Sequence, residues 1–306
     1  MTDLAVVHDS LRPLMFSIAY RMLGSVAEAE DVVQDAFVRM HTAASTGTQI
    51  ESPEAFATTV TTRLAIDALR SARVRRERYV GPWLPEPWLT SGDEPAMRAE
   101  TADTLSSAFL VVLETLSPLE RAVFLLREVF QYDYEQITRI VERSEANCRQ
   151  LMTRARRSVE ERRPRFEPSR EQRDRLAEEF LRACRTGDID ELERLLADDV
   201  MFHGDGGGQA PARRVPVTGS LQVARFLAGL VRYGDRLTVR YEFVHVNGAP
   251  GIAVHTDDGV VGVMSLIVAD NRIQALHNVI NPDKLQHLGP VGDITGGSGR
   301  TPGAAR

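Results

Sequence analysis

The sequence contains almost no lysine and very little cysteine. Lys284 is the one lysine among 37 basic residues, so the positive charge is carried by arginine, whose planar guanidinium makes paired contacts with phosphates and base edges. Cys148 and Cys184 are far apart and show no CxxC spacing, which excludes a disulfide framework and a cysteine-based zinc site. We therefore expect a chain of a reducing compartment, without metal or cofactor.

Long apolar runs are also lacking. No stretch approaches the roughly 18 consecutive apolar residues that cross a bilayer, and the start MTDLAVVHDSLRP has neither the basic nor the apolar segment of a secretory signal. We expect a soluble, cytoplasmic protein with no membrane partner. Its 306 residues, 43% of them hydrophobic, suffice for two or three domains with packed cores.

Helical periodicity organises the first part of the chain. Apolar residues recur at helical spacing between residues 11 and 22, and the pair Ser25 and Glu28 forms a capping box that predicts a second helix. Ser52 followed by Pro53 predicts the start of a third. This part is therefore all-helical.

A stretch rich in turn-forming residues follows, and then a second helical part. Residues 81–98 hold four prolines, two glycines and both tryptophans, a composition typical of a linker. Start signals at Ser117, Asp133 and Ser144 predict short helices, of which the last two are joined by a tight turn. Two such helices within about 25 residues predict a helix-turn-helix.

The pattern changes again beyond residue 165. Helices are predicted near 171–185, 188–197 and 220–232, followed by alternating runs separated by NGAP, DDG and DN turns, which indicate an antiparallel meander. This part is α+β. The last residues, 289–306, are rich in glycine and are predicted to be disordered.

Arginines are concentrated in two places although the net charge is −6. The helix after Ser144 buries a stripe that includes Cys148, and this position favours a small core residue over a redox sensor. Its outer face carries Arg149, Gln150, Thr153, Arg154, Arg156 and Arg157. The second cluster, near the end of the first helical part, contains Arg63, Arg70, Arg73, Arg75 and Arg76. A solvated surface is the alternative for either cluster, but one anionic polymer, DNA, explains both together.

Three blocks resemble regions 2 and 4 of the extracytoplasmic-function (ECF) sigma factors. They are AEDVVQDAFVRMH, FATTVTTRLAIDALRSARVRRERY and LSPLERAVFLLREVFQYDYEQITRIVERSEANCRQLMTRARR. The resemblance implies that RNA polymerase core and promoter DNA are partners. It implies that the first block binds core, that the second arginine cluster, with Arg63, Arg70, Arg73, Arg75 and Arg76, reads the minus 10 element, and that the helix after Ser144 reads the minus 35 element.

The core-binding residues implied are Asp31, Gln34, Asp35 and Phe37. Asp31 and Asp35, four residues apart, also place two carboxylates on one helix face by spacing alone, although a solvated face is the alternative. Two positions depart from the family pattern. Arg63 stands where many members have asparagine, and Glu142 replaces a glycine common in the turn of the helix-turn-helix.

The third part resembles the SnoaL-like, cone-shaped α+β barrel, and the chain resembles the ECF subgroup that carries it. WLPEP, DGGGQ and NPDKL match the motifs of that subgroup, except that Gln209 stands where lysine is usual. The resemblance implies that the barrel is a fused regulator and that a separate anti-sigma factor is not required. The implied interdomain residues are Trp83, Leu84, Pro85, Glu86, Pro87, Asp205, Gly206, Gly207, Gly208, Asn281, Pro282, Asp283, Lys284 and Leu285.

We therefore expect a multidomain architecture with two all-α sigma domains and an α+β SnoaL/NTF2-like barrel. The expected boundaries are 1–80 for region 2, 81–98 for the linker, 99–165 for region 4, 166–288 for the regulatory domain and 289–306 for the tail. We further expect the barrel to dock on the linker, with glycine N–H groups meeting Glu86 and with Asp283 and Lys284 at an exposed rim.

Two alternatives remain open. A SnoaL-type cyclase or isomerase needs a base in the cone, and the candidates for it are His203, Asp205, His245, His255 and His277. We do not expect an enzyme, because Asp205 precedes three glycines and has the sequence context of a turn. A ligand-sensing helix-turn-helix activator would leave the first helical part without a role.

Overall fold

The computed structural model describes residues 4–48, 50–90, 105–161 and 168–294. Two compact units divide them. The first is drawn from Met1–Tyr79, Trp83–Glu167 and His245–Ala249, and the second from Val80–Pro82, Pro168–Val244 and Pro250–Arg306. Each unit thus includes one short segment from the opposite half of the sequence.

Three long helices begin the first unit: α1 (Leu4–Leu23), α2 (Val26–Ser45) and α3 (Pro53–Arg76). The predicted starts of α2 and α3 are confirmed, since the Ser25 hydroxyl accepts from the Glu28 amide and Ser52 caps α3 in the same way. These caps satisfy backbone donors that have no partner within the helix.

The helix-turn-helix region follows in the same unit. It contains α4 (Ser107–Leu113), α5 (Pro118–Phe124), a π-helical turn (Leu125–Val129), α6 (Tyr134–Val141) and α7 (Glu145–Glu160). Reciprocal capping boxes begin α5 and α6, and Ser144 caps α7. Glu142 has φ of 53°, a left-handed conformation that glycine adopts without steric cost. Glu142, which stands where the family commonly has glycine, therefore has a backbone conformation that is strained for a residue with a side chain.

One hydrophobic core runs through the described helices of the first unit, from Leu11 to Val159. A buried arginine, 1% exposed, ties its parts together. Arg121 donates from Nε to the Leu113 carbonyl at 3.0 Å, from Nη1 to the Met22 carbonyl at 2.7 Å, and to Glu114 at 2.6 Å. Burial lowers the pKa of Arg121, and Glu114 opposes that effect.

The second unit is α+β, as predicted. Its elements are α8 (Arg170–Thr186), α9 (Ile189–Leu195), β1 (Leu196–Asp205), β2 (Val217–Thr218), α10 (Ser220–Arg236), β3 (Arg240–Val246), β4 (Ala249–Thr256), β5 (Gly259–Ala269) and β6 (Arg272–Val279). Turns Pro282–Lys284 and Gln286–Leu288 follow. The last two residues of β3 and the first of β4 belong to the first unit.

The sheet order is β2-β1-β6-β5-β4-β3. The predicted meander is β3 to β6, whereas the parallel pairing of β1 with β6 was not predicted. A parallel pair brings the carboxyl ends of both strands to the same edge, and the segments after β1 and β6 therefore lie together. The helix predicted for 188–197 ends at Leu195, because β1 begins at Leu196.

Two predictions about irregular segments need correction where the structure describes them. Leu84, Pro85, Glu86 and Pro87 are buried, so this part of the linker is packed although it has no regular secondary structure; residues 91–98 lie outside the described part. Of the tail expected to be disordered, residues 289–294 are placed beside β5, where the Gly292 amide donates to the Val260 carbonyl at 2.9 Å. Glycine permits this approach, because a Cβ at Gly292 would lie 2.3 Å from Thr256 Oγ1.

Candidate polymerase and nucleic-acid interfaces

The outer face of α7 forms a continuous polar surface. Arg149, Gln150, Thr153 and Arg154 line one shallow depression, while Cys148, Leu151, Met152 and Ala155 on the opposite side are buried. The sequence predicted this division from helical periodicity. The exposed side presents guanidinium and amide donors at a spacing that suits phosphates or base edges.

Four arginines of this face have a carboxylate partner. Arg149 contacts Glu145 at 2.6 Å, Arg154 contacts Glu120 at 3.0 Å, Arg156 contacts Glu128 at 2.6 Å, and Arg157 contacts Glu161 at 3.0 Å. The arginine side chains are between 51% and 83% exposed. Exposed pairs contribute only about 0 to 1 kcal/mol each. The guanidinium groups can therefore exchange these partners for phosphates at small cost.

The arginines of α3 fall into two groups. Arg70, Arg73 and Arg75 are exposed; Arg70 pairs with Asp67 at 2.9 Å and Arg75 with Glu28. Within the described residues Arg73 has no ion pair. These three side chains remain available to a polyanion.

Arg63 and Arg76 are instead engaged inside the first unit. Arg63 donates to the carbonyls of Ile140 at 2.9 Å and Arg139 at 2.7 Å, and it pairs with Glu142 at 2.9 Å. Arg76, 13% exposed, pairs with Glu114, donates to the Leu23 carbonyl and stacks on Trp83 at 3.6 Å. In this arrangement both side chains hold helices together, which differs from the role that the resemblance implied.

The acidic face of α2 has the geometry that its spacing predicted. Asp31, Gln34 and Asp35 are exposed, whereas Phe37 is half-buried. The ring of His8 stacks on Phe37 with centroids 4.0 Å apart. The face thus offers two carboxylates and an amide beside an aromatic edge.

The WLPEP segment docks on the N-terminus of α2. The Glu86 carboxylate accepts from the Ser25 hydroxyl and the Val26 amide at 2.7 Å and from the Ala27 amide at 3.2 Å. Helix N-termini stabilise negative charge, because their amides lack acceptors within the helix. These partners differ from the glycine amides that we expected to meet Glu86. They make Glu86 a cap supplied from a distant part of the sequence.

The turn between β3 and β4, which the sequence predicted only as a hairpin turn, also contacts the residue that follows the WLPEP segment. The side-chain oxygen of Asn247 accepts from the Tyr20 hydroxyl at 3.0 Å and from the backbone N–H of Trp88 at 2.8 Å. The backbone N–H of Asn247 donates to the Trp88 carbonyl at 2.8 Å. The Tyr20 hydroxyl also lies 2.6 Å from the Glu86 carbonyl oxygen, and its single proton is shared between this oxygen and the side-chain oxygen of Asn247. Burial raises the pKa of Tyr20, so its phenol stays a donor. Asn247 was missed as a functional residue, because the Asn-Gly pair signals a turn and says nothing about its partner.

The two barrel motifs form one structure at the shared edge of β1 and β6. Lys284 Nζ lies 2.7 Å from Asp205 Oδ2, and the pair is 7% and 0% exposed. The Asp205 carbonyl accepts from the Ile280 and Asn281 amides at 2.8 and 3.0 Å. Lys284 is therefore buried rather than at the rim where we expected it. Asp283 is exposed and accepts from Gln209.

Each glycine of the DGGGQ motif is required for a different structural reason. A Cβ at Gly206 would lie 2.4 Å from the Ala210 carbonyl oxygen, and Gly207 has φ of 58°. A Cβ at Gly208 would lie 3.3 Å from Cβ of Val80, a residue of the same unit. The motif thus shapes a tight turn against the segment that precedes WLPEP. Leu285 and Asn281 are buried, and Asn281 accepts from the Asp283 amide at 3.1 Å.

The candidate bases for an enzyme do not gather around the barrel cavity. Its described lining contains none of the four histidines named above, nor Asp205. His203 and His277 pack against each other at 5.4 Å, and burial lowers the pKa of His277 to about 3. Asp205 is engaged with Lys284. The geometry therefore disfavours these residues as a base acting in the cavity.

Cys148 is buried, and burial raises the pKa of its thiol, which disfavours a redox-sensing thiolate. No three His, Cys, Asp or Glu side chains of the described residues are grouped as metal ligands. Within the same residues, each helix is too short or too polar to cross a bilayer.

Comparison with known proteins gives matches in all three parts. Residues 7–75 match Sigma-70 region 2, residues 106–159 match Sigma-70, region 4, and residues 177–284 match the SnoaL-like domain. The ECF RNA polymerase sigma factor SigJ of Mycobacterium tuberculosis is 38% identical over 90% of this chain and 91% of its own. The probable ECF sigma factor SigI of the same species is 31% identical over 90% and 93%.

A crystal structure of M. tuberculosis SigJ matches 93% of this chain and 98% of its own, with a TM-score of 0.74 and 33% identity. The helical arrangement and the barrel are thus shared with a solved relative over nearly the whole chain. The exposed arginines of α7 and α3 and the acidic face of α2 lie within the two matched sigma regions. The chain belongs to the ECF RNA polymerase sigma factors and carries a SnoaL-like domain fused behind region 4.

Proposed function

We propose that promoter recognition by this sigma factor is divided among three surfaces. The acidic face of α2, with Asp31, Gln34, Asp35 and Phe37, binds RNA polymerase core. The exposed arginines of α3 contact the minus 10 element, and the outer face of α7 contacts the minus 35 element. The observation that supports the last assignment is the depression lined by Arg149, Gln150, Thr153 and Arg154. With one surface for core polymerase and two for promoter DNA, the chain would contact both partners at the same time.

We expect Arg149→Gln to weaken promoter binding by the holoenzyme. A phosphate contact predicts a salt-dependence slope that is smaller by about 0.9, whereas a base contact predicts about 1 to 3 kcal/mol less discrimination at one position. Titration of duplex promoter DNA at several salt concentrations distinguishes them. The matched control is Arg170→Gln, because each arginine has a carboxylate four residues away, Asp174 for Arg170 and Glu145 for Arg149, and Arg170 is 56% exposed against 60% for Arg149. Equal effects of the two changes contradict the assignment.

The contacts of Arg63 imply that the two sigma regions must separate during initiation. Minus 10 and minus 35 elements lie about 25 base pairs apart, which is about 85 Å of duplex DNA. In the first unit, α3 and α6 are in direct contact through Arg63 and the Ile140 carbonyl. We therefore propose that this arrangement is a closed state, and that binding to core replaces the α3–α6 contacts.

The SnoaL-like domain is proposed to regulate this opening in place of a separate anti-sigma factor. The support is the turn 245–249, whose Asn247 binds Tyr20 of α1 and Trp88 of the linker. The same linker caps α2 through Glu86. Because one turn holds α1 and the linker together, its release frees the linker that joins the two sigma regions.

We expect Asn247→Ala to raise transcription from a cognate promoter and to change the emission of Trp88. The matched control is Asn271→Ala. Asn271 has φ of 56° against 55° for Asn247, so both changes carry the same backbone strain, but Asn271 lies in the exposed β5–β6 turn. Run-off transcription with purified core is the measurement. The regulatory proposal fails if the two variants transcribe alike.

A further inference from the structure

The second unit encloses a cavity that the proposed regulation does not use. Its volume is about 390 Å³, and its walls come from α8, α10 and strands β1, β3, β4, β5 and β6. Apolar side chains dominate the lining, among them Phe202, Phe226, Tyr241, Ile252 and Met264. A space of this size and composition falls in the range of small-molecule binding sites.

The cavity differs from a packing defect. The core beside it is closely filled, and Phe180, Leu192, Val223 and Leu276 are fully buried. The cavity wall instead includes residues with little or no side chain, among them Gly204, Ala212 and Gly262. A large apolar space left vacant loses dispersion contacts along its whole wall, and water finds few partners there. A fitting apolar molecule restores those contacts.

Polar groups are few and lie at defined places. Among the described lining residues none is Asp, Glu, His or Lys, and Arg213 carries the single formal charge. Arg213 is exposed and lies 5.9 Å from the ring of Phe226, which places its charge at the mouth. Leu230 and Tyr233, which also line the cavity, are 38% and 40% exposed. Asn278 adds an amide from β6.

Burial raises the pKa of Tyr241, so this phenol adds no negative charge to the wall. The interior therefore suits a hydrocarbon or aromatic body. The mouth suits an anionic or hydrogen-bonding head and disfavours a cationic one, because the one formal charge among the described lining residues is a guanidinium.

We propose that this cavity binds a lipophilic molecule with a single polar head, preferentially a carboxylate facing Arg213. The apolar body occupies the space between α10 and the sheet, and the head stays at the solvent-exposed mouth. The inference does not depend on promoter recognition or on the regulatory role, because it concerns binding to this cavity alone.

Calorimetric titration of the full-length chain with decanoate, decanol and decylammonium, each as monomers in solution, tests the proposal. We expect saturable one-site binding in the order decanoate, decanol, decylammonium. Arg213→Gln is expected to lower the affinity for decanoate by at most about fivefold, which corresponds to the energy of an exposed ion pair. It should leave the affinity for decanol unchanged. Arg214→Gln is the matched control, since Arg214 is exposed and lies outside the lining.

The cavity itself is tested by Leu230→Trp, which narrows the mouth at an exposed position. We expect binding about tenfold weaker or more, corresponding to at least 1.4 kcal/mol. Val215→Trp is the control, because it adds the same ring at a residue that is 69% exposed and outside the cavity lining. This variant should bind the three probes with the affinity of the parent. Circular dichroism verifies that each variant is folded. The proposal is overturned if the parent binds none of the three probes, or if folded Leu230→Trp binds them as tightly as the parent.

Discussion

Replacement of Lys284 by methionine is expected to lower the stability of the SnoaL-like domain by about 3 to 5 kcal/mol. Methionine nearly matches the shape of lysine, so the loss reports charge rather than volume. Asp205 is 0% exposed and would remain buried without this cation. Removing one member of a buried pair leaves the desolvation cost of the other uncompensated.

Hydrogen exchange of peptides from β1 and β6 is the measurement, because both tryptophans lie in the first unit whereas β1 and β6 belong to the second. Asp205→Asn offers a second readout. Lys284 is the only lysine, so its labelling by an amine-reactive reagent should become faster in that variant. Asp283→Asn, at the exposed residue next to Lys284, should change neither the hydrogen exchange of β1 and β6 nor the labelling rate of Lys284. Protection of β1 and β6 that is equal in Lys284→Met and the parent contradicts the account.

Arg121→Met is expected to destabilise the first unit by a similar amount, about 3 to 5 kcal/mol. The change leaves the carbonyls of Met22 and Leu113 without the guanidinium donors that now reach them, and buried acceptors that lose their donors are costly. It also removes one of two cations from Glu114, which Arg76 still contacts.

Urea unfolding followed by tryptophan emission measures this effect, since Trp83 and Trp88 both lie in the first unit. Arg154→Met is the control, because Arg154 is 65% exposed and its partner Glu120 keeps the hydrogen bonds of its capping box with Ser117; we expect a loss of at most about 1 kcal/mol. Equal midpoints for the two variants would show that Arg121 does not tie the helices of the two sigma regions together.

The features that the sequence predicted well depend on neighbours along the chain. Ser117, Asp133 and Ser144 mark helix starts because a cap satisfies amides only two or three residues ahead. The exposed face of α7 follows from helical periodicity for the same reason. Local rules of this kind require no knowledge of distant contacts.

The features that were missed depend on distant partners. The parallel pairing of β1 with β6 joins segments about 75 residues apart, and no turn signal announces it. Glu86 was expected to meet glycine amides, whereas it caps α2 some 60 residues before it. The Asn-Gly pair at 247 predicted a turn, but its binding to Tyr20 depends on tertiary packing.

Run-off transcription from a promoter library, with purified core polymerase and this chain, is the decisive measurement of sigma-factor function. We expect promoter-specific transcripts only when core and chain are both present. We expect Arg149→Gln combined with Arg154→Gln to abolish them and Arg170→Gln to preserve them. Transcripts from core alone at the same promoters, or undiminished transcripts from the double variant of α7, would contradict these expectations.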